Sequence, residues 1–270
     1  ELARAGSECS HLHQEQRRDQ PRPGPLVIDG FETFEFSQFF PFHLNLAVGG
    51  ESWLIYHFTD SPLRRKGAMT PGQKQRREEL ESTLGRPDPK AVEKGIRELL
   101  RTTLPRESET VVHLHSDDHP AYQRAIRQVR RDPVTPRLRH HVTSSTERRT
   151  TSNPLFPVNL ADLLLRHGQA GHRRETIAFC KRRQGALERA AVFAVWRNAI
   201  KRRREKEPGQ TAAMAAGILD RPWRWEDVFR SRKFPRRKLL PGCWWEYYWR
   251  RVKTLALGPA QTEHRLKYAF

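Results

Sequence analysis

The chain has 270 residues, 36% of them hydrophobic, and its 50 Lys and Arg against 31 Asp and Glu give a formal charge of +19. That is enough apolar content to bury a core, and the excess of cation points to a polyanionic partner, nucleic acid before a membrane surface. No run of about 18 apolar residues occurs and no basic start leads into an apolar segment, so neither a membrane span nor a secretion signal is expected and the cytoplasm is the expected compartment.

Residues 1–25 end in the polar, Pro-rich DQPRPGP and are expected to be a linker or the remnant of an N-terminal region. Within them, Cys9, His11 and His13 form half of a metal-ligand pattern with no second pair to complete it. Cys9, Cys180 and Cys243 lie far apart without a CxxC pair, which predicts reduced thiols. Residues 26–61 hold three strand candidates, LVIDGFETFEF, PFHLNLAVGG and SWLIYHFTDS, bounded by Gly, Pro or Ser. Short turns between them predict an antiparallel meander. The period then changes: Leu80, Leu84, Val92, Ile96, Leu99 and Leu100 recur at helical spacing, predicting two amphipathic helices over 71–104.

A strand over 110–116 follows, then a helix from Pro120 to about Arg130 with proline in its first turn, then a short strand around RHHVTSS. The order is β-β-β-α-β-α-β, an α/β fold with a helical half after it. That half comprises NLADLLLRHGQ and a long helical stretch over 173–205 in which Ile177, Cys180, Leu187, Ala190, Ala191 and Val195 line one side. From residue 206 onward the chain is expected to be a basic, Trp-rich tail. Residues 171–270 hold 25 Lys and Arg against 9 Asp and Glu, which is +16 of the total +19. Trp223, Trp225, Trp244, Trp245 and Trp249 are expected to pack in a core rather than to stack on DNA.

Two acids stand where strands end. Asp29 follows LVI and Asp117 follows VVHLHS. A carboxylate there is costly unless it is solvated, paired or bound to a metal. On neighbouring strands the two would raise each other's pKa or share a divalent cation, and Mg²⁺ suits one or two carboxylates plus phosphate oxygens. Asp118 is better placed to cap the helix at Pro120. Asn159, Asp162 and Arg166 share one face of a helix at i, i+3 and i+7, and Glu175 lies further on.

Asp29, the SDDHPAY block and the run NPLFPVNLADLLLRHGQAGHRRETIAFCKRR together resemble insertion-sequence transposases of the DDE class, over residues 26–205. The resemblance implies an RNase H-like mixed sheet (β-β-β-α-β-α-β-α) ahead of the basic C-terminal region at 206–270. In that family the second acid stands five residues before a tyrosine, as Asp117 does before Tyr122, and an R-x-T-I-x-F-S stretch follows the third acid, matched here by Arg174, Thr176, Ile177, Phe179 and Cys180. Counting back places Asn159 where the family has its third acid, so Asp162, Asn159 itself or Glu175 takes that role, or the copy is impaired. Asp162 is the preferred ligand.

The resemblance further implies two Mg²⁺ (or Mn²⁺) ions held by Asp29, Asp117 and Asp162, hydrolysis at element ends and strand transfer into double-stranded target DNA by a bacterial homo-oligomer. Arg166, Arg173, Arg174, Lys181, Arg182, Arg183, Lys201, Arg202 and Arg203 would neutralise phosphates. Two alternatives share the fold: a catalytically inactive, transposase-derived DNA-binding protein, and an RNase H-like nuclease that cleaves without joining.

Overall fold

The computed structural model describes residues 1–17, 24–105, 111–172, 182–205, 209–231, 239–240 and 242–254. Its centre is a five-stranded mixed sheet. Strands β1 (Leu26–Phe34), β2 (Pro41–Gly49) and β3 (Ile55–Pro62) form the expected antiparallel meander. After helices α2 (Pro71–Leu84) and α3 (Ala91–Thr103), strand β4 (Val112–Asp117) pairs parallel with β1. Helix α4 (Pro120–Val129) then leads to β5 (Leu138–Thr143), parallel to β4. The strand order is β3-β2-β1-β4-β5.

Local chemistry starts and stops the helices. Thr70 and Gln73 form a reciprocal capping box ahead of Pro71, and α2 ends at Gly85 with φ 86°. At α4 the N-cap is His119, whose Nδ1 accepts from the Ala121 amide at 3.2 Å. Asp118 is therefore not the cap expected for it. Its Oδ2 accepts instead from the Ser145 amide at 3.3 Å, because Asp117 already takes the His119 amide at 3.0 Å and turns the chain one residue later.

Alternation along the strands divides the core in two. Leu26 and Ile28 of β1 and Leu114 of β4 pack with Ile96, Leu99 and Leu100 of α3 and with Tyr122, Ala125 and Ile126 of α4. Val27 and Phe31 face the other way, into a cluster with α5 (Phe156–Gly168) and α6 (Arg183–Val195). Each fully buried aliphatic contributes about 1.5–3 kcal/mol of transfer free energy. On the first face α3 comes down on β2 and β3 at Gly95, where a β-carbon would lie 2.3 Å from the Ser61 hydroxyl. The buried polar atoms beneath are paired: Asn45 Nδ2 donates to Thr59 Oγ1 at 3.0 Å, and Thr59 Oγ1 donates to the Gly95 carbonyl at 2.9 Å.

The ends of the chain differ from expectation. Residues 2–17 are not a linker: they form helix α1 (Leu2–Arg17), with Ala5 and Cys9 buried against Val195 and Val228. Of the helical stretch expected over 173–205, the described part opens with α6 at Arg183. Its α-helix runs to Val195 and closes in a π-turn, Trp196–Ile200, while Ile177 and Cys180 lie outside the described residues. Among the described residues after 206, α7 (Ala212–Ala215), α8 (Trp225–Ser231) and α9 (Cys243–Tyr248) pack on the core. Trp244, Tyr247 and Tyr248 are buried in the same cluster as Val27 and Phe31, while Trp223 and Trp225 pack on the α1 cluster and Trp249 on the larger one. These four tryptophans follow the expected packing role, whereas Trp245 is half-buried outside these clusters with the Arg251 guanidinium 5.2 Å from its ring centroid. Cys9 Sγ lies 3.6 Å from His13 Nε2, and no described helix is long and apolar enough to cross a membrane.

Helix α1 depends on close approach to α6: a β-carbon at Gly6 would lie 2.8 Å from the Ala191 carbonyl oxygen. Gly6→Ala should therefore lower unfolding free energy by about 1–3 kcal/mol despite alanine's higher helix propensity. Urea denaturation measures it. A stabilised variant would mean that α1 is not docked.

Candidate active site

The register of β1 and β4 sets the site. Leu26 lies opposite Leu114 and Val27 opposite His115, so carrying the register two residues on brings Asp29 level with Asp117. Both follow the parity of Val27 and His115 and so project to the α5 side of the sheet. From α5, Asp162 comes down on the same region and is buried. Asp29 of β1 thus stands within electrostatic reach of an acid on each of two other elements, Asp117 of β4 and Asp162 of α5.

Their electrostatics record this. Burial raises the Asp29 carboxyl to about 6, and the negative charge of Asp117 adds to this. The Gly30 amide, Arg149 and the Tyr122 hydroxyl oppose it. Burial also pushes the Asp162 carboxyl well above its ordinary range. The charge of Asp29 pushes it further, while Arg166 and Arg149 act in the opposite sense. Tyr122, buried in α4, donates to Asp29 Oδ1 at 3.4 Å. Burial first, then Asp29, Asp117 and Asp162 in turn, raise its phenol well above the usual value.

The tyrosine five residues after Asp117 thus has a physical role: it keeps its proton and holds the first acid. Arg149, between β5 and α5, is a member of the site that no motif marked. The adjacent pair Arg148-Arg149 was its sequence signal.

Among the described residues, no set of three or more His, Cys, Asp or Glu side chains is drawn together closely enough to hold a metal ion as it stands. The donor chemistry nonetheless fits a hard divalent cation. Asp162 Oδ1 and Asn159 Oδ1 are both buried without a hydrogen-bond partner, a cost that a cation would offset. Two of the three candidates for the third ligand therefore present an orphaned oxygen on one face of α5, and of these Asp162 is the one within electrostatic reach of Asp29.

The expected phosphate-binding residues divide. Arg166 stacks over the Phe31 ring, 5.4 Å from its centroid, and its Nε donates to the Asp162 carbonyl at 3.4 Å. Arg182, Lys201 and Arg202 are exposed, and Arg203 is half-buried with a donor on the Glu51 carbonyl at 2.7 Å. Arg183 leaves the set. It is buried and ion-paired to Asp60 at 2.9 Å and to Glu35 at 3.7 Å, and Asp60 also accepts from the Tyr247 hydroxyl at 2.6 Å. Committed to two carboxylates, its charge serves the fold. Arg173, Arg174, Glu175 and Lys181 lie outside the described residues.

The exposed basic run is held in place from below. Buried Arg197 donates to the carbonyls of Arg202 and Arg203 at 3.1 and 3.0 Å. Asn198, in the π-turn, pairs with both the amide and the carbonyl of Ile55 at 2.8 Å each. The end of α6 is thereby fastened to the start of β3.

No family model matches the chain, and no curated protein matches it at a significant level.

The raised carboxyls fix a sign. The folded state holds the Asp29 proton more tightly than the unfolded chain, whose value is near 3.8, so stability falls as pH rises from about 4 to about 6 and stays lowered at neutral pH. Asp29→Asn, which keeps an acceptor for Tyr122, should raise the melting temperature at pH 7.5 by roughly 5 °C and change it little at pH 4. A lower melting temperature at pH 7.5 would contradict the like-charge arrangement.

Proposed function

We propose that the protein is a DDE-type DNA transposase with an RNase H-like catalytic domain, cutting phosphodiesters at element ends and joining the freed 3′-hydroxyl to target DNA. The observation that carries this reading is the convergence of Asp29, Asp117 and Asp162 from β1, β4 and α5. The sheet order supports it, because an antiparallel β1–β3 meander flanked by parallel β4 and β5 is the arrangement an RNase H-like core requires.

Asp29, Asp117 and Asp162, with Asn159 one turn earlier on α5, would hold Mg²⁺ or Mn²⁺. When bound, such ions activate the attacking oxygen and neutralise charge at the scissile phosphate. The chain's own residues do the rest. Tyr122 orients Asp29 through its hydroxyl. Arg149 and Arg166 place positive charge beside the acids, where a phosphate diester would otherwise be repelled. Lys201, Arg202 and Arg203 neutralise flanking phosphates, so binding weakens with salt by roughly 0.9 log unit per contacted phosphate for each decade of concentration. The protein acts in the cytoplasm on double-stranded DNA, as a homo-oligomer when two ends are cut together.

Nicking of supercoiled DNA and joining of labelled ends in Mg²⁺ or Mn²⁺ test this directly. Asp29→Asn, Asp117→Asn and Asp162→Asn should each lower the rate by at least about 10²-fold with DNA binding retained, whereas Asp118→Asn should leave it near wild type. Full activity in Asp162→Asn with loss in Asn159→Ala would move the third ligand to Asn159. Cleavage without joining would make the protein an RNase H-like nuclease, and binding with neither would make it an inactive descendant.

A further inference from the structure

The β2–β3 turn carries an aromatic side chain that the acids do not use. Trp53 sits at φ 60°, a backbone conformation that bulky residues rarely adopt without a purpose. The turn is held there by Trp53 N donating to the Gly49 carbonyl at 2.9 Å and Gly50 N donating to the Pro25 carbonyl at 2.7 Å. Half-buried, its indole is surrounded by cations: the guanidinium carbons of Arg204, Arg203 and Arg197 lie 4.7, 5.7 and 5.9 Å from the ring centroid. Phe156, in the first turn of α5, meets it edge-on at 5.6 Å.

Beside this indole opens a cavity of about 640 Å³, walled by Trp53, Arg204, His115, Asn153 and Phe156, with Glu51 as the acid on its rim. Its size falls within the roughly 300–1,000 Å³ of pockets that enclose small organic ligands. In the wall His115 Nδ1 is buried without a hydrogen-bond partner. His115 also fixes where the cavity lies. It precedes Asp117 by two residues on the same strand face, so the wall stands about 7 Å from the second acid along β4. Helix α5 bounds the cavity with its first turn and presents Asn159 and Asp162 further along.

We propose that this cavity receives one unstacked nucleotide of the DNA strand that enters the acid site. The base lies against the Trp53 indole with its edge toward His115, and its phosphate faces Arg204. Aromatic faces and guanidinium planes are the surfaces on which splayed bases stack, whatever their sequence, and a guanidinium pairs with a phosphate. Arg197, itself beside the indole, holds the backbone of Arg202 and Arg203 just before Arg204, so that part of the clamp is built before DNA arrives. The inference takes its substrate from the transposase reading, and it identifies Trp53, Arg204 and His115 as the residues that separate a frayed end from paired duplex.

The test is binding in EDTA, where no cleavage occurs, of a duplex with a short single-stranded end carrying 2-aminopurine, compared with the same duplex fully paired. Wild-type protein should quench the 2-aminopurine and prefer the frayed duplex. Trp53→Gly suits the positive φ, and it should remove the quench and weaken the frayed duplex by about tenfold while moving the paired duplex less than about twofold. Trp53→Phe should retain most of the preference. Absence of quenching by the wild type, or equal loss on both DNAs in the variant, would overturn the proposal. Quenching by a protein that never nicks DNA would overturn the transposase reading and leave the cavity's role standing; nicking without quenching would do the reverse.

Discussion

Two buried carboxylates, Asp29 and Asp162, repel each other, with half-buried Asp117 acting on the first, and much of the molecule is arranged around that repulsion. Neither the parallel pairing of β1 with β4 nor the packing of α5 against β1 would bring acids together for stability's sake, because both Asp29 and Asp162 hold their protons more tightly than free carboxyls do. The fold therefore carries a destabilising element at neutral pH. Its compensation lies in two apolar clusters, one on each face of the sheet, and in the opposing charges of Arg149 and Arg166. A site that costs stability without a ligand and offers orphaned oxygens at Asp162 and Asn159 is one whose occupant supplies what the chain withholds.

The same economy governs the basic side chains. Some cations are spent on architecture: Arg183 joins Glu35 and Asp60 beneath the surface, and Arg197 gathers the carbonyls that precede the exposed arginines. Others, Lys201 and Arg202 among them, remain at the surface. The division explains how a strongly basic chain folds at all. Buried Arg183 is ion-paired and buried Arg197 hydrogen-bonded, and Arg197 fixes the carbonyls of Arg202 and Arg203 where Arg203 and Arg204 lie over Trp53. His57 shows comparable discipline in the core. Its Nδ1 accepts from the Trp244 indole, so Nε2 carries the proton and points at the Cys243 sulfur, 3.2 Å away.

Much of this was legible in the chain itself. Alternating apolar residues place β1, β2 and β4 within a residue or two of their observed limits, and Thr70-Pro71 and Pro120 mark where helices begin. Asp117 could be selected because a carboxylate at the end of an apolar strand needs a reason, and it does end β4; Asp29, expected at a strand end as well, instead lies inside β1, which continues to Phe34. Failures came where the deciding partner is remote in sequence. Helix α1 reads as polar and unremarkable, since its docking rests on a glycine meeting the Ala191 carbonyl. Arg183 looks like any member of a basic cluster until Glu35 and Asp60 are brought beside it. The helix cap slipped from Asp118 to His119 because Asp117 captured the amide that a simple capping rule leaves to its neighbour. Tyr122 was marked only by the family resemblance, and its bond to Asp29 gives the spacing from Asp117 a physical cause.

The central claim is that Asp29, Asp117 and Asp162 act together as a divalent-cation site. Titration of the protein with Mn²⁺, followed by the loss of the free ion's electron paramagnetic resonance signal at several pH values, tests it most directly. Binding should weaken as pH falls through about 6, where the Asp29 carboxyl takes up its proton, and it should be lost when any one of the three aspartates is replaced by asparagine. Mn²⁺ binding that ignores all three substitutions, or no binding at neutral pH, would contradict the account.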